Sequence, residues 1–279
     1  MTEYLRCDQV SDDVIYDAFT QGYSDYIISV DMPKDQFVAR FLEIDNDHTL
    51  SYIAMHGAKP VGFILGGIQQ FKGIKTMRCG GFAIIPEFRG KGIAQELFKR
   101  HMQAARENDC KLLYLEVIKE NARALRFYEK AGYESVTDYR YYKLEDADSL
   151  HQAHVLHVQP ADFALIKSIR DTMPMLHLCW QSEMFSLAQY DNVHHFCIEE
   201  NGECVAALCI NAKGLVHFLW VAPHRRAQGI GRALLSHAAD VLTLKTLLAI
   251  AGNNLLYEGF LKRLGFTLQI EQHEMIKLL

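Results

Sequence analysis

The sequence predicts an α+β protein made of two copies of one fold, each copy a mixed, mostly antiparallel sheet flanked by helices. Three observations lead there. In each half, three strand-like segments follow one another and are bracketed by helix-like ones, a pattern that favours α+β over strict βαβ alternation. IIPEFRGKGIAQELF and VAPHRRAQGIGRALL can be laid over each other position for position, Arg226 standing 137 positions after Arg89. The chain has 279 residues, enough for two ordinary domains.

The elements follow in order. TEYLRCDQV alternates as a strand. SDDVIYDAFTQGY has a Ser/Asp start and apolar residues at Val14, Ile15, Ala18 and Phe19, the spacing of a capped helix. PKDQFVARFLEID is a second short helix with Pro33 at its first turn. TLSYIAMHG, KPVGFILGGIQQF and IKTMRCGGFAIIP read as antiparallel strands joined by turns at Gly57–Lys59 and Lys72–Gly73. A helix runs from Gly92 to Glu107, LLYLEVIKE is a buried strand, NARALRFYEKAG a helix ended by Gly132, and YESVTDYRYYKLE a closing strand. EDADSLHQAH, about residues 145–154, is polar and aperiodic and is the best linker, which divides the chain into domains 1–145 and 152–279. Beyond it come a strand in AHVLHV, helical signal from Pro160 broken at Pro174, then VHHFCIEE, GECVAALCIN and GLVHFLWVAP as strands. A helix from Gly229, the strand TLLAIA, the helix NLLYEGFLKRLGF and the strand LQIEQHEMIKLL complete the second half.

Composition narrows the class. Half the chain is apolar (49%) and 23% charged, which suits a globular protein with real cores. The net charge of -5 and the absence of a dense Lys/Arg stripe argue against nucleic acid as a partner. No apolar run reaches the roughly 18 residues of a membrane span, and MTEYLRCDQVSDD has no basic-then-apolar signal pattern, so a cytoplasmic protein away from the membrane is expected. The seven cysteines are odd in number, scattered and free of CxxC, and read as buried reduced thiols. His151, His154 and His157 recur every third residue, but on a segment passing from linker to strand they would not converge, so no metal site is expected. His194, His195 and His217 fall in strands as core or edge residues, and no Ser-His-Asp order or HExxH motif suggests hydrolysis.

The repeated junction carries the chemistry. FRGKGIA (88–94) and RRAQGIG (225–231) each close an apolar strand and open a helix. The first turn of a helix has free N–H groups and partial positive charge, and glycine lets backbone approach a ligand without a Cβ in the way. The result is an anion cradle suited to phosphate, with Arg89, Lys91 and Arg226 adding charge. GxxxxGK[ST] is absent, and Gly90-Lys91-Gly92 does not complete GxGxxG, so neither a P-loop nor a dinucleotide fold is indicated.

Arg89-Gly90-Lys91-Gly92-Ile93-Ala94 and Arg226-Ala227-Gln228-Gly229-Ile230-Gly231 instead resemble the Arg/Gln-x-x-Gly-x-Gly/Ala signature of the GNAT superfamily of acetyl-CoA-dependent N-acetyltransferases. Each follows an aliphatic-x-Pro strand end, Ile84-Ile85-Pro86 and Val221-Ala222-Pro223. The resemblance covers most of each half and implies two tandem GNAT (acyl-CoA N-acyltransferase) domains. It implies that amides of Arg89, Gly90, Lys91, Gly92, Ile93 and Ala94 hold the coenzyme A pyrophosphate, and that Phe82 and Ile84 bind pantetheine through their main chain. Val221, Arg226, Gly229 and Gly231 are the second copy's counterparts. Asn121 and Tyr128 match the family's Asn and Tyr seven residues on, which implies an Asn on the pantetheine arm and a Tyr near the thioester sulfur.

The implied reaction is transfer of acetyl from acetyl-CoA to a primary amine of a small molecule or peptide, by direct attack through a tetrahedral intermediate. A strand N–H such as that of Ile84 can stabilise the oxyanion. The Tyr128 hydroxyl, with an ordinary pKa of about 10, can protonate a leaving thiolate of pKa about 8.5. Glu116, on the same strand face as Tyr114 and Ile118, is either a base acting through water or a structural carboxylate. The amine acceptor belongs between the first two helices and the strands, near Phe19, Tyr23, Asp25, Tyr26 and Asp31; their acids would suit a cation, or the loop is only an aromatic lining. No metal cofactor is implied, and oligomeric state is open. Aligning Gly265-Phe266 with Gly132-Tyr133 puts Asn254 opposite Asn121, Phe260 opposite Phe127 and Leu261 opposite Tyr128. The first domain is therefore expected to catalyse and the second to be degenerate or regulatory. The alternatives are a non-catalytic acyl-CoA-binding module and a protein N-acetyltransferase.

Overall fold

The computed structural model describes residues 1–30, 32–43, 46–151 and 156–279. Asp31 and His154, singled out above, lie outside the described residues. The chain forms two compact units, Met1–Val136 with His273–Leu279, and Thr137–Gln272.

The first unit runs β1 (Thr2–Arg6), α1 (Asp12–Gly22), α2 (Lys34–Glu43), β2 (Asp47–His56), β3 (Lys59–Phe71), β4 (Ile74–Ile84), α3 (Ile93–Glu107), β5 (Leu112–Ile118) and α4 (Ala122–Lys130). β1 to β4 form an antiparallel meander, and β5 adds parallel to β4. The predicted tight turns are present, with left-handed backbone at Gly57, Lys72 and Gly73. Alternation along β3 sends Ile64 to one face and Phe63 and Leu65 to the other. The first face packs on α3 and α4 with Leu97, Phe98, Leu113 and Leu115. The second packs on α1 and α2 with Ile15, Phe19 and Phe37. In α3 the buried residues Leu97, Phe98, His101, Ala104 and Ala105 make one helical stripe.

The second unit is built from the rest of β6 (Glu134–Leu144), then β7 (Gln159–Pro160), α5 (Phe163–Asp171), α6 (Met184–Leu187), β8 (Val193–Glu200), β9 (Glu203–Asn211), β10 (Leu215–Val221), α7 (Ile230–Val241), β11 (Leu247–Ala251), α8 (Leu255–Arg263) and the start of β12 (Thr267–Leu278). β7 to β10 are antiparallel neighbours, and β11 pairs parallel with β10. The core under α7 and α8 holds Leu208, Val216, Leu234, Leu235 and Phe266.

This division differs from the cut at 145 and 152. β6 does not close the first unit; from Arg140 to Leu144 it pairs antiparallel with β11. Tyr139, Tyr142 and Leu144 are buried at 0%, 1% and 4% exposure, so they need a core as well as an edge. The end of β12 serves the first unit, beside β5, where Met275 joins the core and the Leu279 N–H donates to the Lys111 carbonyl at 3.2 Å. The two final strands are thus exchanged in sequence. Nor is the stretch 145–151 a free linker; residues 152–154 of the expected linker lie outside the described residues. Ala147 and Leu150 are buried in the second core, and Arg232 donates to the Ser149 and Leu150 carbonyls at 2.6 and 2.8 Å. Its polar residues are turn and cap residues, Asp146 accepting from the Asp148 N–H at 3.0 Å. Of AHVLHV (153–158), residues 153–155 lie outside the described residues and 156–158 are not strand; a two-residue strand follows at Gln159–Pro160. α5 ends before Pro174 and is capped by Asp162, which accepts from the Leu165 N–H.

Arg140 anchors its strand in the second unit by donating to Glu258 at 2.6 Å and Glu271 at 2.9 Å. The Tyr142 hydroxyl donates to the other Glu258 oxygen at 3.0 Å, so the buried carboxylate is matched on both sides. Among the described residues no helix is long and apolar enough to cross a membrane.

Candidate active site

β4 and β5 pair from Thr76↔Leu112 to Cys79↔Leu115 and then part. The cause is a bulge: Leu65 faces Gly81 and Gly66 faces Cys79, which leaves Gly80 as the extra residue. A bulge bends its strand and increases its twist. A Cβ on Gly80 would lie 2.1 Å from the Asn46 side-chain oxygen, so any larger residue at the bend would have to displace Asn46. Where the strands separate, a cleft of about 230 Å³ opens. Phe82 and Ile84 of β4 line one wall, and Asn121, Phe127 and Tyr128 the other. Gly90 and Gly92 stand at one end, and Tyr23, against the Phe82 N–H, and Tyr26 line the cleft from the residues that follow α1.

The glycine junction has the shape an anion cradle needs. Gly90 and Gly92 have φ of 73° and 81°, and Gly92 caps α3 in the left-handed region. A Cβ on either would meet nothing within 4 Å, so backbone faces open space beside the first turn of α3. The cations do other work. Arg89 donates from Nε to the Ile84 carbonyl at 2.9 Å and from Nη2 to Asp25 Oδ1 at 2.7 Å, fastening the junction to the end of its strand and to the residues after α1. The Arg89 guanidinium holds the Asp25 carboxyl below the usual carboxylate range, with a smaller push from Arg123. Lys91 lies over the Phe88 ring, its Nζ 4.6 Å from the centroid.

Backbone groups of β4 face the opening. The Ile85 N–H donates to the Val61 carbonyl of β3 at 3.1 Å, so by strand alternation the groups of Phe82 and Ile84 point the other way. The Phe82 N–H donates to the Tyr23 hydroxyl at 3.3 Å.

Asn121 is the N-cap of α4 and accepts from the Ala124 N–H at 3.1 Å; its side chain also hydrogen-bonds the Tyr26 hydroxyl. Tyr128 is 7% exposed, packed among Phe82, Phe98 and Tyr133 with centroids 6.5, 5.9 and 5.9 Å away. Burial pushes its phenol well above 10, so it keeps its proton at any physiological pH. Glu116 is placed elsewhere. It is 8% exposed at its side chain, accepts from the Tyr114 hydroxyl at 2.6 Å, faces Arg78 at 3.8 Å, and is not among the cleft-lining residues. That is the geometry of a structural carboxylate.

The second unit repeats the frame with different contents. Arg226 donates to the Val221 carbonyl at 3.0 Å, as Arg89 does to Ile84. Gly229 caps α7 with φ 81°. Asn254 caps α8 as Asn121 caps α4, which fixes the alignment of the two helices and puts Leu261, fully buried, opposite Tyr128. Ala227 holds the left-handed place of Gly90 with φ 59°. A Cβ on Gly231 would meet the Phe260 ring at 3.0 Å, so that ring sits directly on the first turn of α7. His217 turns inward, 5% exposed, between Ser182 Oγ at 3.1 Å and Asn211 at 3.4 Å, and burial lowers its pKa to about 4.

Sequence reasoning missed Gly80, Arg123 and Phe127. The Gly80-Gly81 pair inside a strand was the available signal for the bulge. Nothing local marked Arg123 or Phe127, because their place in the cleft depends on how α4 packs.

The model of the Acetyltransferase (GNAT) family matches residues 14–133 and again 164–266. N-alpha-acetyltransferase MAK3 of Arabidopsis thaliana is 32% identical over 104 residues, 36% of this chain and 53% of its own length. Acetyltransferase ECA0875 of Pectobacterium atrosepticum is 29% identical over 94 residues, 34% of this chain and 64% of its own. The chain thus spans between half and two thirds of these relatives' length. A tandem GNAT protein from the clavulanic acid biosynthesis pathway superposes with TM-score 0.75 over 100% of this chain and 98% of its own at 13% identity. A GCN5-related N-acetyltransferase from Sphaerobacter thermophilus gives 0.73 over 99% and 95% at 11% identity. Identities this low speak to fold alone. With its family model matched in both halves, the chain belongs to the GNAT acetyltransferase family as a tandem of two such domains.

Proposed function

We propose that the first unit transfers acetyl from acetyl-CoA to a primary amine of a small molecule or peptide, and that the cleft around Tyr128 is where it does so. The observation that carries this reading is the arrangement in one cleft of an open glycine junction, a strand edge parted from its neighbour and a buried, protonated tyrosine. Acetyl-CoA fits these residues. The amides of 89–94 would hold the pyrophosphate, and the main chain of Ile84 and Phe82 the pantetheine, Phe82 at its thioester end. When bound, acetyl-CoA supplies an acetyl group on a thioester activated toward amines. The strand amides then face the side on which oxyanion charge develops. Tyr128 gives its proton to the departing sulfur, and desolvation keeps that proton in place until it is needed. Glu116, tied to Tyr114 and Arg78, does not act as base; the amine loses its proton to solvent. Arg89 positions the junction rather than serving as its charge.

Ala227 and the Phe260 ring over Gly231 support a second unit that holds no coenzyme, and Leu261 one that does not turn over. A peptide N-terminus is the acceptor favoured within this reading. Ile27 and Ile28, which follow cleft-lining Tyr26, are 50% and 43% exposed, and an apolar residue beside the reacting amine would cover them. A relative of the chain bears the name N-alpha-acetyltransferase. Incubating the full chain with acetyl-CoA and a panel of amines, N-terminal peptides included, should release free thiol only when an acceptor amine is present. Coenzyme binding without thiol release for every amine would leave the non-catalytic module as the function.

A further inference from the structure

Tyr23 holds the amide that the cleft would offer to an acyl group. The residues for phosphate stand at 89–94, and the pantetheine would run from there back along β4. Phe82 is two residues deeper than Ile84, about 6.6 Å along the strand, and its ring lies beside that of Tyr128. Its N–H therefore belongs to the reacting end. That N–H is satisfied by the Tyr23 hydroxyl at 3.3 Å. The Tyr23 ring is held edge-on by Phe19, Phe63 and Tyr26, with centroids 5.2, 5.7 and 4.9 Å away. Its neighbour Gly22 is pressed so close to β4 that a Cβ there would lie 2.8 Å from that of Ala83. Backbone and ring are both clamped, so this tyrosine forms a stiff end wall to the cleft.

We propose that Tyr23 selects the acyl group: its hydroxyl competes with a thioester carbonyl for the Phe82 amide, and its clamped ring excludes chains much longer than acetyl. The inference rests on the acetyl-CoA reading above. No covalent step is involved; the long 3.3 Å bond from the Phe82 N–H to the hydroxyl weakens as that N–H turns to the carbonyl. Without the hydroxyl the Phe82 N–H would be unsatisfied until a carbonyl arrived, so a bound acyl group would gain more from that amide. Without the ring the end wall would be open.

The test is equilibrium binding of free CoA, acetyl-CoA and hexanoyl-CoA to the full chain and to Tyr23→Phe and Tyr23→Ala, with circular dichroism to verify folding. Tyr23→Phe should raise the affinity for acetyl-CoA relative to free CoA by about tenfold and still reject hexanoyl-CoA. Tyr23→Ala should shift the ratio of hexanoyl- to acetyl-CoA affinity by about 100-fold toward the longer chain. Should Tyr23→Ala fail to fold, Tyr23→Leu, which fills part of the ring's place, reads the same ratio with a smaller shift in the same direction. Folded variants that bind coenzyme with both ratios unchanged would overturn the inference while leaving the acetyl-CoA reading intact. A wild-type chain that binds none of the three would instead overturn that reading.

Discussion

Tyr128→Phe is expected to lower kcat for acetyl transfer by about 100-fold or more, with the Kd for acetyl-CoA changed by less than about threefold. The ring does the packing, against Phe82, Phe98 and Tyr133, and phenylalanine keeps it. Only the hydroxyl goes, and with it the proton that Tyr128 gives the departing thiolate. A kcat loss with unchanged coenzyme affinity is the mark of a group that acts on the reaction rather than on binding. The pH profile separates the roles further. Burial raises the phenol well above 10, so its protonated form persists throughout the alkaline range used in assays. A wild-type kcat that already declines with rising pH before about pH 9 would mean that another group, and not Tyr128, supplies the limiting proton. Equal kcat for wild type and Tyr128→Phe would remove the tyrosine from the mechanism.

The second large effect is on stability. His101 is fully buried in α3, beside the Phe98 ring at 6.0 Å, and neither ring nitrogen has a hydrogen-bond partner among the described residues. Burial lowers its pKa from 6.5 to about 4. Between those two values the unfolded chain takes up a proton that the folded chain refuses. The stabilisation is therefore complete above pH 6.5 and is lost as pH falls toward 4. At about 1.4 kcal/mol per pH unit, lowering pH from 7 to 5 removes about 2 kcal/mol through this one residue. His217 in the second unit, also brought to about 4 by burial, acts in the same direction. His101→Leu should raise stability at pH 7 by about 1–3 kcal/mol, because an unpaired buried polar group is replaced by an apolar one of similar size. It should also remove roughly half of the loss between pH 7 and 5. Urea unfolding followed by circular dichroism measures both. An unchanged or lower midpoint for His101→Leu at pH 7 would show that the imidazole is satisfied in the folded protein.

Much of the fold could be read from local pattern. The three-strand meander, the α3 stripe and the helix caps are short-range features, and Asn121 and Asn254 cap their helices at the positions that the aligned motifs gave them. The closing strands could not be read this way. β6 alternates equally well against either sheet; its partner is decided by where Tyr139, Tyr142 and Leu144 find a core. Residues 145–151 misled because a turn that caps and clamps uses the same Asp and Ser residues as a solvated linker. In the site, the glycine junction announced itself, since left-handed backbone at Gly90 and Gly92 requires that residue type. The roles of Arg89 and Glu116 did not. A charge near a phosphate cradle looks the same in sequence whether it faces the ligand or, as Arg89 does, ties Asp25 and a strand carbonyl.

The central claim is that coenzyme binds in the cleft of the first unit and not in its counterpart. Calorimetric titration of the full chain with acetyl-CoA, beside Gly92→Asp and Gly229→Asp, tests it most directly. Each substitution puts a carboxylate at the N-cap of one helix, α3 or α7, where it would repel a pyrophosphate. One site in the wild type, lost in Gly92→Asp and unchanged in Gly229→Asp, is the predicted result. Two sites falling to one in Gly229→Asp, or a single site that survives Gly92→Asp, would contradict the account and make the second unit a coenzyme site in its own right.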